Sequence, residues 1–430
     1  MRGDEQMKKA IIILLIALIA GSFAFADDVP KVDPVTYDDI NFAYQPGLAR
    51  YDAMGQSGLA LPSRLDSFYT NPAALSKSGF ALNLPSFSFT WYNLEKLVND
   101  PDAVAIIERI IKGNPSDEDA ITLAQKFLNN LGGGRNMIAK LDMDVSLKLG
   151  MLGLGTNVQV KIHSLNQGSS WASTSVIPEV NAAQTVALGV ELLDTGALSL
   201  SAGVAVHGVY KAYYKALNGS TIVDLMKSDN IGETLLWATP VMGGYAIPFD
   251  VGVTLGLLND TMTISATANN LNGKYHMKSF GGAGDLVNSI SKGAVKVPAG
   301  HISGESVDFD VETPWSLNFG FAFAPNVPGL NPVVTADLVD MYELIRSFSS
   351  TDFRASDLLL HLNLGAELGV FNIVKVRAGV NRGYLSVGAG IWLPFMAVDA
   401  TYGWQEFGKE IGDKAVDSLT IKFTLGYDKL

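Results

Sequence analysis

From Lys140 onward the chain alternates apolar and polar residues, the two-residue period of a strand with one apolar face. Leu141, Met143, Val145, Leu147 and Leu149 share one side, and Lys140, Asp142, Asp144, Ser146 and Lys148 the other. Near the C-terminus Leu362, Leu364, Ala366 and Leu368 oppose Asn363, Gly365 and Glu367, and Val374, Val376, Ala378 and Val380 oppose Lys375, Arg377 and Gly379. Adjacent segments this alike predict a meander. About fourteen occur, starting near Phe80, Ala139, Leu154, Ala182, Ala197, Phe249, Met262, Trp315, Val333, Leu358, Ile373, Tyr384, Met396 and Leu419. That is an even number within the range of single-chain outer-membrane barrels.

The joins between segments follow a parity. Even-to-odd joins are short, at 150–153, 194–196, 259–260, 325–329, 370–372 and 393–394, and most carry turn residues. Odd-to-even joins are long, at 93–137, 166–179, 217–243, 272–314, 342–357 and 405–417, with Asn381, Arg382 and Gly383 the one exception. Long loops on one side and short turns on the other are the signature of a barrel with a periplasmic N-terminus, and a soluble sandwich gives no reason for them. The expected fold class is all-β: a transmembrane antiparallel β-barrel of about 14 strands with an N-terminal lumenal hatch and helical extracellular loop insertions.

Two long joins carry helical patterns, at about 94–137 and 218–240. In the first, Val104, Ile106, Ile107, Ile110 and Ile111 recur at helical spacing after Pro101, and a second helix is expected after Ser116, ended by Gly132, Gly133 and Gly134. Such helices are expected to cap the barrel mouth or to offer an apolar capture site. The first strand switches face between Leu84 and Phe87, so a register slip is expected at Pro85 and Ser86.

Met7, Lys8 and Lys9 precede an apolar run and Ala24-Phe25-Ala26, the order of a secretory signal, so residues 1–26 are expected to be a cleaved signal peptide. The chain has no cysteine, so something other than cross-links must stabilise an exported protein. It is 48% hydrophobic with 43 glycines and 17% charged residues, and no apolar stretch after Ala20 reaches membrane-helix length. Hydropathy spread this thinly suits strands of which every second residue meets lipid. The net charge of -12 excludes nucleic acid as a partner and is read as loop solubility.

Residues 27–78 lack alternation and are expected to form a hatch inside the barrel formed by 79–430, because a lumen this wide needs more than side chains to fill it. Residues 49–60, Ala-Arg-Tyr-Asp-Ala-Met-Gly-Gln-Ser-Gly-Leu-Ala, followed by Tyr69-Thr70-Asn71-Pro72-Ala73-Ala74-Leu75, resemble the N-terminal hatch of FadL-type fatty-acid transporters and of PorV/PorQ-type outer-membrane proteins. The strands around Leu362–Glu367, Val376–Gly379 and Val387–Gly390 are similar to the closing strands of PorV-like chains. The resemblance implies that Asn71, Pro72 and Ala73, with Tyr69 and Leu75 beside them, lie near a ligand path. It also implies one of two activities: passage of long-chain fatty acids or other hydrophobic molecules, or assistance to secretion by a barrel that docks proteins at its extracellular loops. The outer-membrane lipid is the expected surrounding partner. The helical insertions and the ending Tyr427-Asp428-Lys429-Leu430 depart from the FadL pattern. Independently of the resemblance, Pro72 fixes its own backbone and Asn71 can cap a turn, which is a structural reason for the same residues.

No catalytic chemistry is legible. The five histidines are scattered, none at metal-ligand spacing, and no cofactor is expected. By parity His163, His207 and His361 point inward, whereas a barrel phospholipase keeps its site on the lipid face. The inward set includes Lys140, Asp142, Lys148, Glu367, Arg377, Asp399 and Lys422. Mixed signs predict ion pairs around a plug, where a selective pore favours one sign.

Overall fold

The computed structural model describes residues 42–429 except 62–66, 78, 115, 117, 167–170, 216, 219–235, 238, 294–295, 299–300, 302–305, 349–353, 372 and 409. The expected signal peptide, residues 27–41 and most of the expected insertion at 218–240 lie outside the described residues.

The period-two pattern is realised as one antiparallel sheet closed on itself, which pairs every strand edge. In chain order the crossings are β1 (Phe80–Tyr92), β2 (Gly134–Leu149), β3 (Leu152–Asn166), β4 (Thr174–Asp194), β5 (Leu198–Tyr214), β6 (Val241–Ala246 with Phe249–Leu257), β7 (Met262–Leu271 with Lys274–Phe280), β8 (Asp308–Glu312 with Ser316–Phe323), β9 (Leu330–Leu338), β10 (Leu362–Val370), β11 (Val374–Asn381), β12 (Tyr384–Leu393), β13 (Met396–Glu406) and β14 (Ala415–Lys429). Fourteen crossings therefore form the barrel, and the two-residue Leu217–Asn218 adds to the edge of β4. Closure is the β1–β14 ladder, which runs from Phe80 opposite Lys429 to Tyr92 opposite Ser418.

The inward and outward sides follow the sequence pattern. On β2, Asp142, Ser146 and Lys148 are buried while Met143, Val145 and Leu149 are exposed. Around the wall the exposed apolar side chains form the belt that a lipid-facing barrel needs. No helix among the described residues is long and apolar enough to cross a membrane.

Strand limits differ from the sequence reading where proline or asparagine breaks the period. β6, β7 and β8 are each interrupted, at Ile247-Pro248, Asn272-Gly273 and Thr313-Pro314-Trp315, and then continue towards the long-loop rim. What looked like loop is a crease across three neighbouring strands. Asparagine side chains stitch it: Asn270 Nδ2 donates to the Thr313 carbonyl at 3.1 Å, and Asn272 Nδ2 to the Ile247 carbonyl at 3.1 Å. Residues Ala355–His361, expected to open a strand at Leu358, form a 3-10 turn instead. In β1 both ladders slip beside Pro85 and resume at Ser86, so the defect is a bulge within a continuous wall.

The first long loop folds into α2 (Leu94–Val98), α3 (Pro101–Ile111) and α4 (Asp119–Asn130), following α1 (Ala49–Ala53) of the hatch; α5 (Ala283–Ser291) and α6 (Met341–Ser347) come later. Pro101 sits at the start of α3, with the Asp100 carboxylate accepting from the Asp102 and Ala103 amides. This helical hairpin does not cover the mouth, contrary to the sequence reading. Its Leu97, Ile106, Ile110, Leu123 and Phe127 pack on Phe89, Trp91, Ala139, Ile162 and Val176. Those wall residues alternate with the inward-facing Ser88, Thr90, Lys140 and Lys161, so they face outward. An apolar helix face is matched by that row. The inner rim offers polar partners instead, such as the Asn93–Asn136 pair.

Candidate functional site

The lumen is occupied by residues 42–61 and 67–77, and the wall residues that hold them are the polar half of the strand alternation. The segment starts towards the long-loop rim. There the Phe42 ring lies 4.7 Å from the Arg135 guanidinium, and the Phe42 carbonyl accepts from Lys211 Nζ at 2.8 Å. It then descends, with Gly47 donating to Asp142 at 3.0 Å and its carbonyl accepting from Lys422 at 3.2 Å. Further on, the Gly58 and Leu59 amides donate to one oxygen of Asp337 at 2.6 and 3.1 Å, and Ser386 accepts from Gly55 at 3.0 Å. A non-helical segment has few backbone partners of its own, so these wall groups satisfy amides and carbonyls that burial would otherwise strand.

The strongest clamp is ionic. Arg50 presents Nε and Nη2 to the two carboxylate oxygens of Glu367, both at 3.0 Å. Glu367 also accepts from Arg377 Nε at 2.6 Å, and Arg377 Nη1 reaches Asp399 at 2.5 Å. Trp392 Nε1 donates to Asp399 at 3.2 Å. Two cations and two anions balance in a buried chain that ties α1 to β10, β11 and β13, the geometry in which buried charges are tolerable.

Glycines in the wall let the hatch come close. A Cβ on Gly189 would fall 2.7 Å from the Pro72 carbonyl oxygen, and one on Gly203 would overlap the Pro72–Ala73 peptide. Gly365 meets the Met54 carbonyl in the same way, at 2.6 Å. Backbone of the hatch thus lies directly on backbone of β4, β5 and β10.

The sequence-named hatch residues fall into two groups. Tyr69 donates its hydroxyl to Asp144 at 2.7 Å and borders a cavity. Asn71, Pro72, Ala73 and Leu75 are buried against the wall. Asn71 Oδ1 caps the turn Pro72–Ser76 by accepting from Ala73 at 3.0 Å, and its Nδ2 donates to Thr254 at 3.0 Å and to the Leu59 carbonyl at 2.9 Å. Lys140, Asp142, Lys148, Glu367, Arg377, Asp399 and Lys422 all stand on the inner face. Lys140 pairs with Asp142 at 3.3 Å. Sequence reasoning missed Arg50 as the ionic anchor and the role of the wall glycines. The signal was present, since Gly365 and Gly379 fall on the same face as Glu367 and Arg377.

Two further features lie inside the barrel. Around the upper end of the hatch segment, Ile177, Tyr213, Met242, Tyr275, Met277 and Val311 form a buried apolar cluster on the inner wall of β4 to β8, joined by Tyr44 of that segment. Below it, a cavity of about 360 Å3 lies between residues 46–50 and the wall, bordered by Leu48, Tyr69, Leu82, Trp392, Met396 and Tyr427. The described residues contain no cluster of three side chains able to hold a metal ion.

No family model matches the sequence. No curated protein matches it in sequence either. Among solved structures the chain is similar to the toluene transporter TodX of Pseudomonas putida, at 12% identity over 90% of this chain and 99% of that one, with a TM-score of 0.44. It is also similar to the monoaromatic hydrocarbon channel CymD, at 13% identity over 90% and 98%, TM-score 0.44. A Pseudomonas aeruginosa FadL homologue is similar at 12% identity over 90% and 99%, TM-score 0.41.

Proposed function

We propose that this chain is an outer-membrane transporter of hydrophobic small molecules, long-chain fatty acids among them, which pass a hatch-closed barrel from the long-loop side to the short-turn side. The observation that carries the reading is the inner apolar cluster of Ile177, Tyr213, Met242, Tyr275 and Met277, closed by Tyr44 at the upper end of a docked hatch that has a cavity beneath it. A passage for water-soluble solutes gains nothing from an apolar inner wall, whereas a hydrophobic molecule gains about 25 cal/mol for each Å2 it withdraws from water there. Pockets for such ligands are largely apolar with a few fixed polar groups, and Tyr69, Asp399 and Lys422 supply those at the lower cavity. Asn71, Pro72, Ala73 and Leu75 form the foot on which the hatch pivots beside this path.

Mass spectrometry of small molecules released from the barrel purified in mild detergent, paired with uptake of labelled fatty acid by cells with and without the gene, tests the reading. The expected results are a retained hydrophobic compound and a fall in uptake on deletion. An empty barrel together with unchanged uptake sinks it.

A further inference from the structure

We propose that the hairpin of α3 and α4 and the short helix α6 are seated in the outer leaflet, with the acyl–headgroup boundary of the lipid as their partner. The height of the helices on the wall is the first argument. A hydrocarbon belt roughly 25 Å tall, crossed by strands tilted about 40°, takes about ten residues. Counting up from Leu149, Leu198 and Phe323, the lowest outward apolar residues of β2, β5 and β8, places the top of the belt near Lys140, His207 and Pro314. The hairpin of α3 and α4 packs on Ala139 with Phe89 and Trp91, and α5 packs beside Tyr210, Ala212 and Tyr214. Tyr342 of α6 stacks on Trp315 with ring centres 5.2 Å apart. The hairpin and α6 therefore meet the wall at the boundary, whereas α5 meets it roughly 8–18 Å higher.

The second argument is the apolar surface that these helices leave uncovered. Beside the residues that pack on the wall, α3 exposes Ile111, and α6 exposes Ile345, with Phe348 just past its end. Ile111 is 71% exposed and Ile345 55%. A helix lying in a membrane surface sinks such an apolar side roughly 5–10 Å into the boundary.

The third argument is continuity. Phe87 opposite Met143 is the last exposed pair of the lipid belt between β1 and β2, and the next pair up, Phe89 opposite Leu141, stands at the lower edge of the hairpin. On this part of the wall the apolar surface passes from strand to helix without a polar row between them, whereas below α5 the outer face of β7 shows Lys274, His276 and Lys278.

Because the chain has no cysteine, single-cysteine variants carry one label each. Full-length Ile111→Cys and Ile345→Cys, labelled with bimane, are compared in phosphatidylcholine vesicles containing brominated lipid. Val145→Cys serves as the belt reference and Asp102→Cys and Glu108→Cys as water references. Bimane at 111 and 345 is expected to shift to the blue and to be quenched by brominated lipid as at 145, while 102 and 108 are quenched by aqueous iodide. The vesicles hold no other protein, so iodide quenching at 111 and 345 equal to that at 102 overturns the proposal and leaves those residues for a protein partner. Both sites are exposed, and folding is checked separately by the heat-dependent gel mobility of the barrel.

Discussion

At the scale of single residues, the contacts between hatch and wall differ in strength by their charge. Thr401 gives Ala49 one neutral hydrogen bond at 3.1 Å, so Thr401→Val is expected to cost about 1 kcal/mol. Glu367 receives two guanidinium groups, and Glu367→Gln leaves both facing a neutral amide in a buried site, a loss on the order of 3–5 kcal/mol. Denaturant unfolding of the two variants in lipid measures the contrast, and equal midpoints would mean that the ionic chain is not the clamp. Outside the membrane-spanning strands, Asp119 is held well below its ordinary value of 3.8 by the Arg109 guanidinium and then by the Ser116 amide. A depressed value means that this support of the hairpin is fully present above 3.8 and is lost as the pH falls through the folded value. Amide protection across 101–130, corrected for intrinsic exchange, is expected to drop below pH 3.8 in the native chain, and Asp119→Asn is expected to show the lower protection at every pH.

Elements show what the sequence could and could not say. β2 and β10 to β13 were legible because each keeps an unbroken two-residue period. The upper halves of β6, β7 and β8 were not, because Pro248, Asn272-Gly273 and Pro314 look like turns, while the asparagine bonds that bridge the crease join residues over 20 positions apart. The helices of the first loop were legible from spacing and the proline start, but not their place on the outer wall. A helix pattern tells that one face is apolar and not what it meets. The hatch was inferred from fifty residues without alternation, whereas its docking depends on glycines whose meaning appears only when another backbone lies on them. That docking gives a prediction. Gly203→Val pushes a side chain into the Pro72–Ala73 peptide, an overpacking of about 1–3 kcal/mol. Gly208→Val, in the same strand, meets only the Gln184 carbonyl oxygen at 4.0 Å. Cleavage of the hatch by added protease is expected to quicken in the first variant and to stay unchanged in the second.

For the whole molecule the question is whether the hatch holds the barrel together or only closes it. The hydrogen-bonded ring is complete without the hatch, since β1 pairs β14 on one side and β2 on the other along nearly its whole length. The lumenal groups that the hatch satisfies are charged and polar, and where its apolar residues meet the wall they touch mainly small side chains, Ala81, Ala187, Ala205 and Ala322 with Val333, so water can replace it there at modest cost. Deletion of residues 42–61 is therefore expected to leave a folded barrel that conducts steadily in planar bilayers, while the full chain conducts little. The exposed inner face would carry both signs, with Lys140, Lys161, Arg377 and Lys422 among Asp142, Glu179, Glu367 and Asp399, so the open pore should discriminate weakly between cations and anions. Loss of the barrel on deletion would make the hatch a core rather than a plug. Steady current through the intact chain would mean that the docked segment leaves a water path, and a barrel that leaks in that way does not need a hatch to move to let its cargo through.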